Sequence, residues 1–178
     1  MVALYPSPQL AAPRSQRFFQ FVDQLADLTG QSVPQIVRMD RLKSLPKGSF
    51  GHAWAEMLEA NQLQPLATGP RRKQLHDGIH LLTGYGTDPL GEAEVQAFLL
   101  GTKFCAANAL LLLGLVRLAY QQNQNSVNRP TPAEIRSRLH RAYQRGIQAT
   151  LDPDTWRPEM LWDLPLAHVR QWFHIPAA

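Results

Sequence analysis

An all-α bundle of about seven helices, a single domain over residues 1–178, is the architecture this sequence predicts. Three observations carry that expectation. Leu far outnumbers Val and Ile together, and Leu favours helix where β-branched residues favour strand. The 14 prolines fall between periodic segments, where they punctuate helices. No segment alternates apolar and polar residues with period two over a useful length.

Taken in order, residues 1–13 form an irregular N-terminal segment. Ser15 caps a first helix over 16–28, with Phe18, Phe19, Val22, Leu25 and Leu28 near one face and Gly30 just past the end. A second helix spans 33–43 and stops at Leu45-Pro46. Ser49 starts a third over 50–61, with Phe50, Trp54, Met57 and Leu58 at helical spacing, and Gln64-Pro65 ends it. After a loop at Thr68-Gly69-Pro70, a fourth helix covers 71–82 and stops in Thr83-Gly84-Tyr85-Gly86. Asp88 caps a fifth, with Pro89 in its first position, and this long apolar helix reaches Tyr120. The polar stretch 121–130 is an exposed loop. Thr131-Pro132-Ala133-Glu134 then opens a sixth helix as a capping box, which reaches Thr150. A helical turn over 155–161 and a short helix over 164–173 complete the chain.

Charged residues make up only 18% of the chain, against a usual share of about 25%, so a large apolar interior or cavity is expected and a disordered chain is excluded. A net charge of +4 without a long Lys/Arg run gives no reason to expect a nucleic-acid partner. The single cysteine, Cys105, excludes an internal disulfide and a cysteine-based zinc site, and its apolar setting predicts a buried, inert thiol. Residues 1–13 hold no Lys or Arg and lack the patterns of a signal or transit peptide. The apolar run 104–116 is shorter than the roughly 20 residues a spanning helix needs. A cytoplasmic protein is therefore expected.

The informative stretch is His76-Asp77-Gly78-Ile79-His80, followed by Glu92. Each helical residue turns about 100°, so Asp77 lies about 100° and His80 about 40° round from His76, within one arc. Two imidazoles one turn apart are a common metal pair. Gly84, Gly86 and Asp88-Pro89 then reverse the chain, and a helical hairpin brings Glu92 beside His80. Two histidines and two carboxylates suit a divalent ion: zinc first, with manganese, ferrous iron or magnesium as alternatives.

The spacing His-Asp-x-x-His, eleven residues, then Glu resembles the motif of the coenzyme Q (ubiquinone) biosynthesis protein four family, matched at His76, Asp77, His80 and Glu92, with Gly84 also fitting. Leu45-Pro46-Lys47-Gly48-Ser49-Phe50-Gly51 resembles the family's turn before a helix. Trp162-Asp163-Leu164-Pro165-Leu166 through Val169-Arg170 resembles its C-terminal segment. The resemblance implies a helical, metal-binding homodimer that binds a prenyl lipid or prenylated quinone precursor, removes the ring carboxyl group oxidatively and organises other quinone-biosynthesis proteins. Mitochondrial members carry a presequence that is not evident here, which favours a bacterial or cytosolic member.

The apolar fifth helix is either plain core or a tail-binding groove, and Phe98, Leu99 and Phe104 are the candidate lining. The sixth helix carries Arg136, Arg138, His140, Arg141 and Arg145, either a solvated face or a peripheral membrane contact. Arg71-Arg72-Lys73 is either an exposed basic turn or a site for a phosphate or carboxylate headgroup. Three rivals stand beside the enzyme: a non-catalytic lipid-binding scaffold, an HD-type phosphohydrolase recruiting His52 with Asp152 or Asp154, and a zinc peptidase. His140 lies on a basic helix, and His52, His168 and His174 have no ligand-spaced partner.

Overall fold

A computed structural model describes residues 32–122 and 130–176. The predicted helix over 16–28, the irregular segment 1–13 and most of the loop 121–130 lie outside the described residues. Among the described residues the protein is mostly helical, with eight α-helices and one small antiparallel sheet. The order is β1 (Ser32–Pro34), α1 (Met39–Lys43), α2 (Phe50–Ala60), β2 (Thr68–Pro70), α3 (Arg71–Gln74), α4 (His76–Thr83), α5 (Pro89–Thr102), α6 (Ala106–Gln122), α7 (Pro132–Gln148), a 3-10 turn (Pro158–Met160) and α8 (Leu166–Trp172).

The mostly helical fold is the one expected, with this small sheet added to it. The predicted helix over 33–43 begins only at Met39, because residues 32–34 pair instead with 68–70, Ser32 opposite Pro70 and Pro34 opposite Thr68. Pro34 cannot donate inside a helix but is tolerated on a two-stranded edge. A buried side chain secures the pairing: Gln74 Nε2 donates to the carbonyls of Val33 (2.9 Å) and Gly69 (3.1 Å), and Gln74 Oε1 accepts from Ile36 N (2.8 Å). Gln74→Leu would leave these backbone groups unmatched, so a stability loss of about 1–3 kcal/mol is expected. Chemical denaturation checks it, and an unchanged midpoint would refute it.

The long fifth helix is two helices. α5 ends at Thr102, and Lys103 adopts an extended backbone. Thr102 Oγ1 donates to the Leu99 carbonyl (2.9 Å), while Lys103 Nζ is drawn to Asp152 (3.1 Å) and Asp154 (2.9 Å). Lys103 thus meets residues some fifty positions away at the break, which has no proline to announce it. The fourth helix is divided as well: α3 and α4 meet at Leu75, where Gly78 N bonds the Leu75 carbonyl in a tightened turn.

Under α4 lies an aromatic floor. Phe50 packs on Trp54, Trp54 stacks on Trp156 (centroids 6.3 Å, planes 8° apart), and Trp156 meets Phe173 edge-on. Gly78, in the middle of the histidine motif, lies directly on the Trp54 indole. The two remaining family-like stretches meet each other across the same core. Phe50 N donates to the Leu164 carbonyl (2.7 Å), Gly51 N to that of Trp162 (3.0 Å), and Leu166 N to that of Gly48 (3.1 Å). A second, smaller core joins Leu90, Ala119 and Ile135, so that α5 packs on both α6 and α7. No helix among the described residues is long and apolar enough to cross a membrane.

Candidate metal centre

The hairpin forms as its sequence dictates. α4 ends at Gly84, whose φ of 78° is left-handed and whose N–H bonds the His80 carbonyl at 2.8 Å. Asp88 caps α5, accepting from Leu90 N (2.9 Å) and Gly91 N (3.3 Å), with Pro89 following. Gly91 has no side chain because the Gly86 carbonyl lies where a Cβ would go. That close approach folds the turn back onto α5 and delivers Glu92 to the end of α4.

Three side chains converge there. His76 Nε2 lies 3.1 Å from Glu92 Oε2, His80 Nε2 lies 3.2 Å from Glu92 Oε1, and the two Nε2 atoms are 3.2 Å apart. Bonds of about 2.0–2.1 Å at tetrahedral angles put ligand atoms about 3.3 Å apart. The two imidazoles stand at that separation, each has one Glu92 oxygen at a similar distance, and one ligand atom from each of the three residues falls within 4.8 Å of the others, so the group could hold such an ion. An octahedral ion of similar bond length needs edges of about 3.0 Å, which also fits. The orientation of His80 supports the same use. Its Nδ1 is 3.2 Å from the Tyr85 carbonyl, an acceptor for the Nδ1 proton when Nε2 binds a metal. His80 is also 3% exposed, which shields the centre on that side.

The fourth expected ligand, Asp77, is not brought into the group of His76, His80 and Glu92. It remains near enough to feel all three charges: burial pushes its carboxyl above the ordinary range, and His76 and His80 only partly offset this. Three protein donors leave a coordination position for water or ligand, the arrangement of sites where exchange occurs. Burial opposes charge on Glu92 too, but hydrogen bonds to His76 and His80 outweigh it and bring its pKa down to about 2. For His76, burial works against the proton, yet Glu92, aided by Asp77, raises the pKa above 6.5.

The signs then follow. In the metal-free protein the His76–Glu92 contact stabilises the fold below the ordinary histidine pKa, and this contribution is lost as pH rises through the raised His76 value. The raised value means that a proton competes with a metal for His76. Affinity should therefore climb about tenfold per pH unit below that pKa and level off above it. Zinc titration against a competing chelator across neutral pH checks this, and a flat affinity would contradict it.

Other predicted residues lie elsewhere. Phe98 and Leu99 are buried in the main core, whereas Phe104 is 79% exposed at the α5–α6 break, so the three do not form one open lining. His52 pairs with Glu56 at 3.3 Å, and Asp152 and Asp154 pair with Lys103, away from the histidine pair that a phosphohydrolase reading would need them to join. Cys105 is partly buried. Arg71 is engaged by Glu159 at 2.8 Å. Arg138 grips buried Glu94 with two hydrogen bonds, at 2.9 and 2.5 Å, so the basic face of α7 is partly turned inward. Sequence reasoning missed Tyr85, whose contribution is a backbone carbonyl and leaves no trace in residue type.

Fold and site together define a mostly helical protein with a candidate mononuclear metal centre of two histidines and a glutamate, held in a helical hairpin. The chain is 30% identical over 150 residues to the mitochondrial ubiquinone biosynthesis protein COQ4 homolog of Bos taurus, an alignment covering 75% of this chain and 52% of that protein. The Rattus norvegicus homolog is 29% identical over the same shares. A crystal structure of a protein from Nostoc punctiforme, described as a candidate ubiquinone biosynthesis protein, superposes with a TM-score of 0.63 at 20% identity, over 92% of this chain and 82% of that one. No family model matches. The chain belongs to the COQ4 family of ubiquinone biosynthesis proteins, and spans about half the length of the curated relatives it matches.

Proposed function

We propose that this protein binds a divalent metal, zinc first, at His76, His80 and Glu92, and acts on a prenylated, carboxylated phenol in the synthesis of ubiquinone or a related prenylquinone. The observation that carries the reading is the triangle of donor atoms with His80 Nδ1 turned to the Tyr85 carbonyl. When bound, the metal would supply Lewis-acid stabilisation of negative charge on ring oxygens. Around it, His80 holds its proton on Nδ1, and Asp77 offers a carboxyl at the edge of the site. Arg72 lies one turn before His76. Its Nη1 reaches Asp154 at 3.3 Å, but its Nη2 is buried without a hydrogen-bond partner, a donor suited to a ring carboxylate.

The prenyl tail would meet the apolar face of α6, where Leu110 is 64% and Leu113 69% exposed, close in sequence to Phe104. The same face is open to a second copy of the chain or to a membrane surface, which the family resemblance also implies.

In the oxidative form of the reaction the ring carboxyl leaves as carbon dioxide, a hydroxyl from water takes its place on the ring, and molecular oxygen accepts the two electrons and two protons released, as hydrogen peroxide. The alternative, a lipid-binding scaffold for a biosynthetic complex, uses the same centre to shape a headgroup pocket. Purified protein incubated with a prenylated carboxyphenol, oxygen and zinc, ferrous iron or manganese in turn separates the two. Metal-dependent release of carbon dioxide supports the enzyme, and tight binding without turnover supports the scaffold. A protein that retains no divalent metal, and whose His76→Ala variant sustains quinone production unchanged, would sink both.

A further inference from the structure

A buried amide group without a partner costs free energy, so such groups are rare in a settled fold and each calls for a reason. The packed pair α5 and α6 holds one acceptor and one donor of this kind. Gln96, on α5, is 5% exposed and Asn108, on α6, is 6% exposed. Gln96 Oε1 and Asn108 Nδ2 are both buried, and neither has a hydrogen-bond partner among the described residues. A third buried amide, Gln74, has both ends bonded to backbone, so this fold does satisfy a buried amide where the amide serves the fold. Gln96 follows Glu92 by four residues, which places it one turn along α5 and about 40° round from that metal donor. The other faces of α5 are taken: Glu94 bonds Arg138 of α7, and Val95, Phe98 and Leu99 enter the main core. Gln96 therefore lies where the metal-facing side of α5 adjoins the side packed on α6. Asn108 is on the side of α6 turned to α5, about 200° round from exposed Leu110 and 140° from exposed Leu113. The connection 103–105 is short, so the two helices run antiparallel, and Gln96 and Asn108 differ in level by about one turn.

From this placement we infer that Gln96 and Asn108 form a polar subsite beside the metal centre, which takes a hydroxyl group on the ring of a bound aromatic acid. The pair offers one acceptor, one donor and no charge. A hydroxyl both donates and accepts, so it can satisfy Gln96 Oε1 and Asn108 Nδ2 together. A carboxylate only accepts, and here it would be desolvated without a counter-ion. One helical turn, about 5.4 Å, is comparable with the width of a substituted benzene ring. A ring whose acidic end is held at His76, His80 and Glu92 thus brings its far edge to Gln96. Admission of the ring parts α6 from α5, which the extended backbone of Lys103 between them allows. The subsite rests on the proposed metal centre for the placement of the ring's other end, whereas the unpartnered amides are a property of the chain with or without a metal.

The test uses the full chain and two measurements. The first is thermal unfolding without ligand. Gln96→Met removes an unpartnered polar group at nearly the same length and volume and should raise Tm, whereas Gln74→Leu, which strands bonded backbone groups, should lower it. The second is calorimetric binding of 4-hydroxybenzoate, 4-methoxybenzoate and benzoate, with zinc present. Wild type should favour the hydroxy acid over benzoate by about 10–100-fold, with the methoxy acid, which accepts but cannot donate, in between. Gln96→Met should remove that advantage and bind zinc as wild type does, and Asn108→Ala should reduce it. A lowered Tm in Gln96→Met shows that the amide supports the fold and overturns the inference. So does a wild type that binds zinc and treats the three acids alike, or binds none of them. Should Gln96→Met not fold, Gln96→Leu must show the raised Tm and the lost hydroxyl preference or the inference fails. A wild type that favours the hydroxy acid but holds no zinc sinks the metal-centre reading and leaves the subsite standing, and one that shows neither sinks both.

Discussion

Glu92→Gln is expected to abolish tight metal binding while leaving the helical content intact. Glutamine keeps the shape of the side chain and loses the charge that sits between two imidazoles. Loss of an outer partner costs about 10–100-fold in affinity, so loss of a charged donor should exceed about 100-fold. The fold should survive because Glu92 belongs to the hairpin and not to the main core. The metal-free variant should nonetheless lose some stability in a defined window. The favourable pair exists between the Glu92 pKa of about 2 and the raised His76 pKa, so wild type and variant should differ most in mild acid and converge at alkaline pH. Metal content by mass spectrometry after dialysis and urea denaturation at several pH values measure both. Stoichiometric zinc retained by the variant would show that the ion is held elsewhere.

That this centre was legible in the chain follows from its being local. His76 and His80 share one turn of helix, and Gly84, Asp88 and Pro89 are residues whose type alone states a C-terminus, a cap and a first helical position. Seventeen residues from His76 to Glu92 hold every donor, counting both ends, and no long-range information is needed to assemble them. The capping box at Thr131 and Glu134 was readable for the same reason. Within the motif only Asp77, about 100° round the helix from His76, was misplaced; most of the rest that failed was decided at a distance. The β1–β2 pair is too short for periodicity to show and is held by Gln74, a residue that looks like surface helix until its partners are known. At the α5–α6 break no proline marks the stop, and Lys103 meets Asp152 and Asp154 some fifty positions on. The tail lining failed because apolar residues at one helical spacing do not say whether they face core or solvent: Phe98 went inward and Phe104 outward. Arg145 read as part of a basic outer face because its acceptors are carbonyls, which every residue possesses.

The second large effect expected is that of Gly146→Ala, and the two opposing contributions can be compared. In a free helix the change would stabilise the chain by about 0.5–1 kcal/mol, since glycine loses the most backbone freedom on folding. Here the added Cβ would stand 2.0 Å from the Phe98 carbonyl oxygen, and on the facing helix a Cβ at Gly101 would stand 2.2 Å from that of Tyr143. Both obstacles are backbone, so no rotamer change relieves them and α5 must move from α7. Overpacking typically costs about 1–3 kcal/mol, and with rigid backbone on both sides the upper end applies. A net loss of about 2–3 kcal/mol corresponds to a fall in Tm of about 4–12 °C for a domain of this size. Once one alanine has parted the helices, the second meets less resistance, so Gly101→Ala with Gly146→Ala should cost less than the two singles added. A Tm equal to or above wild type would mean that the helices do not approach this closely.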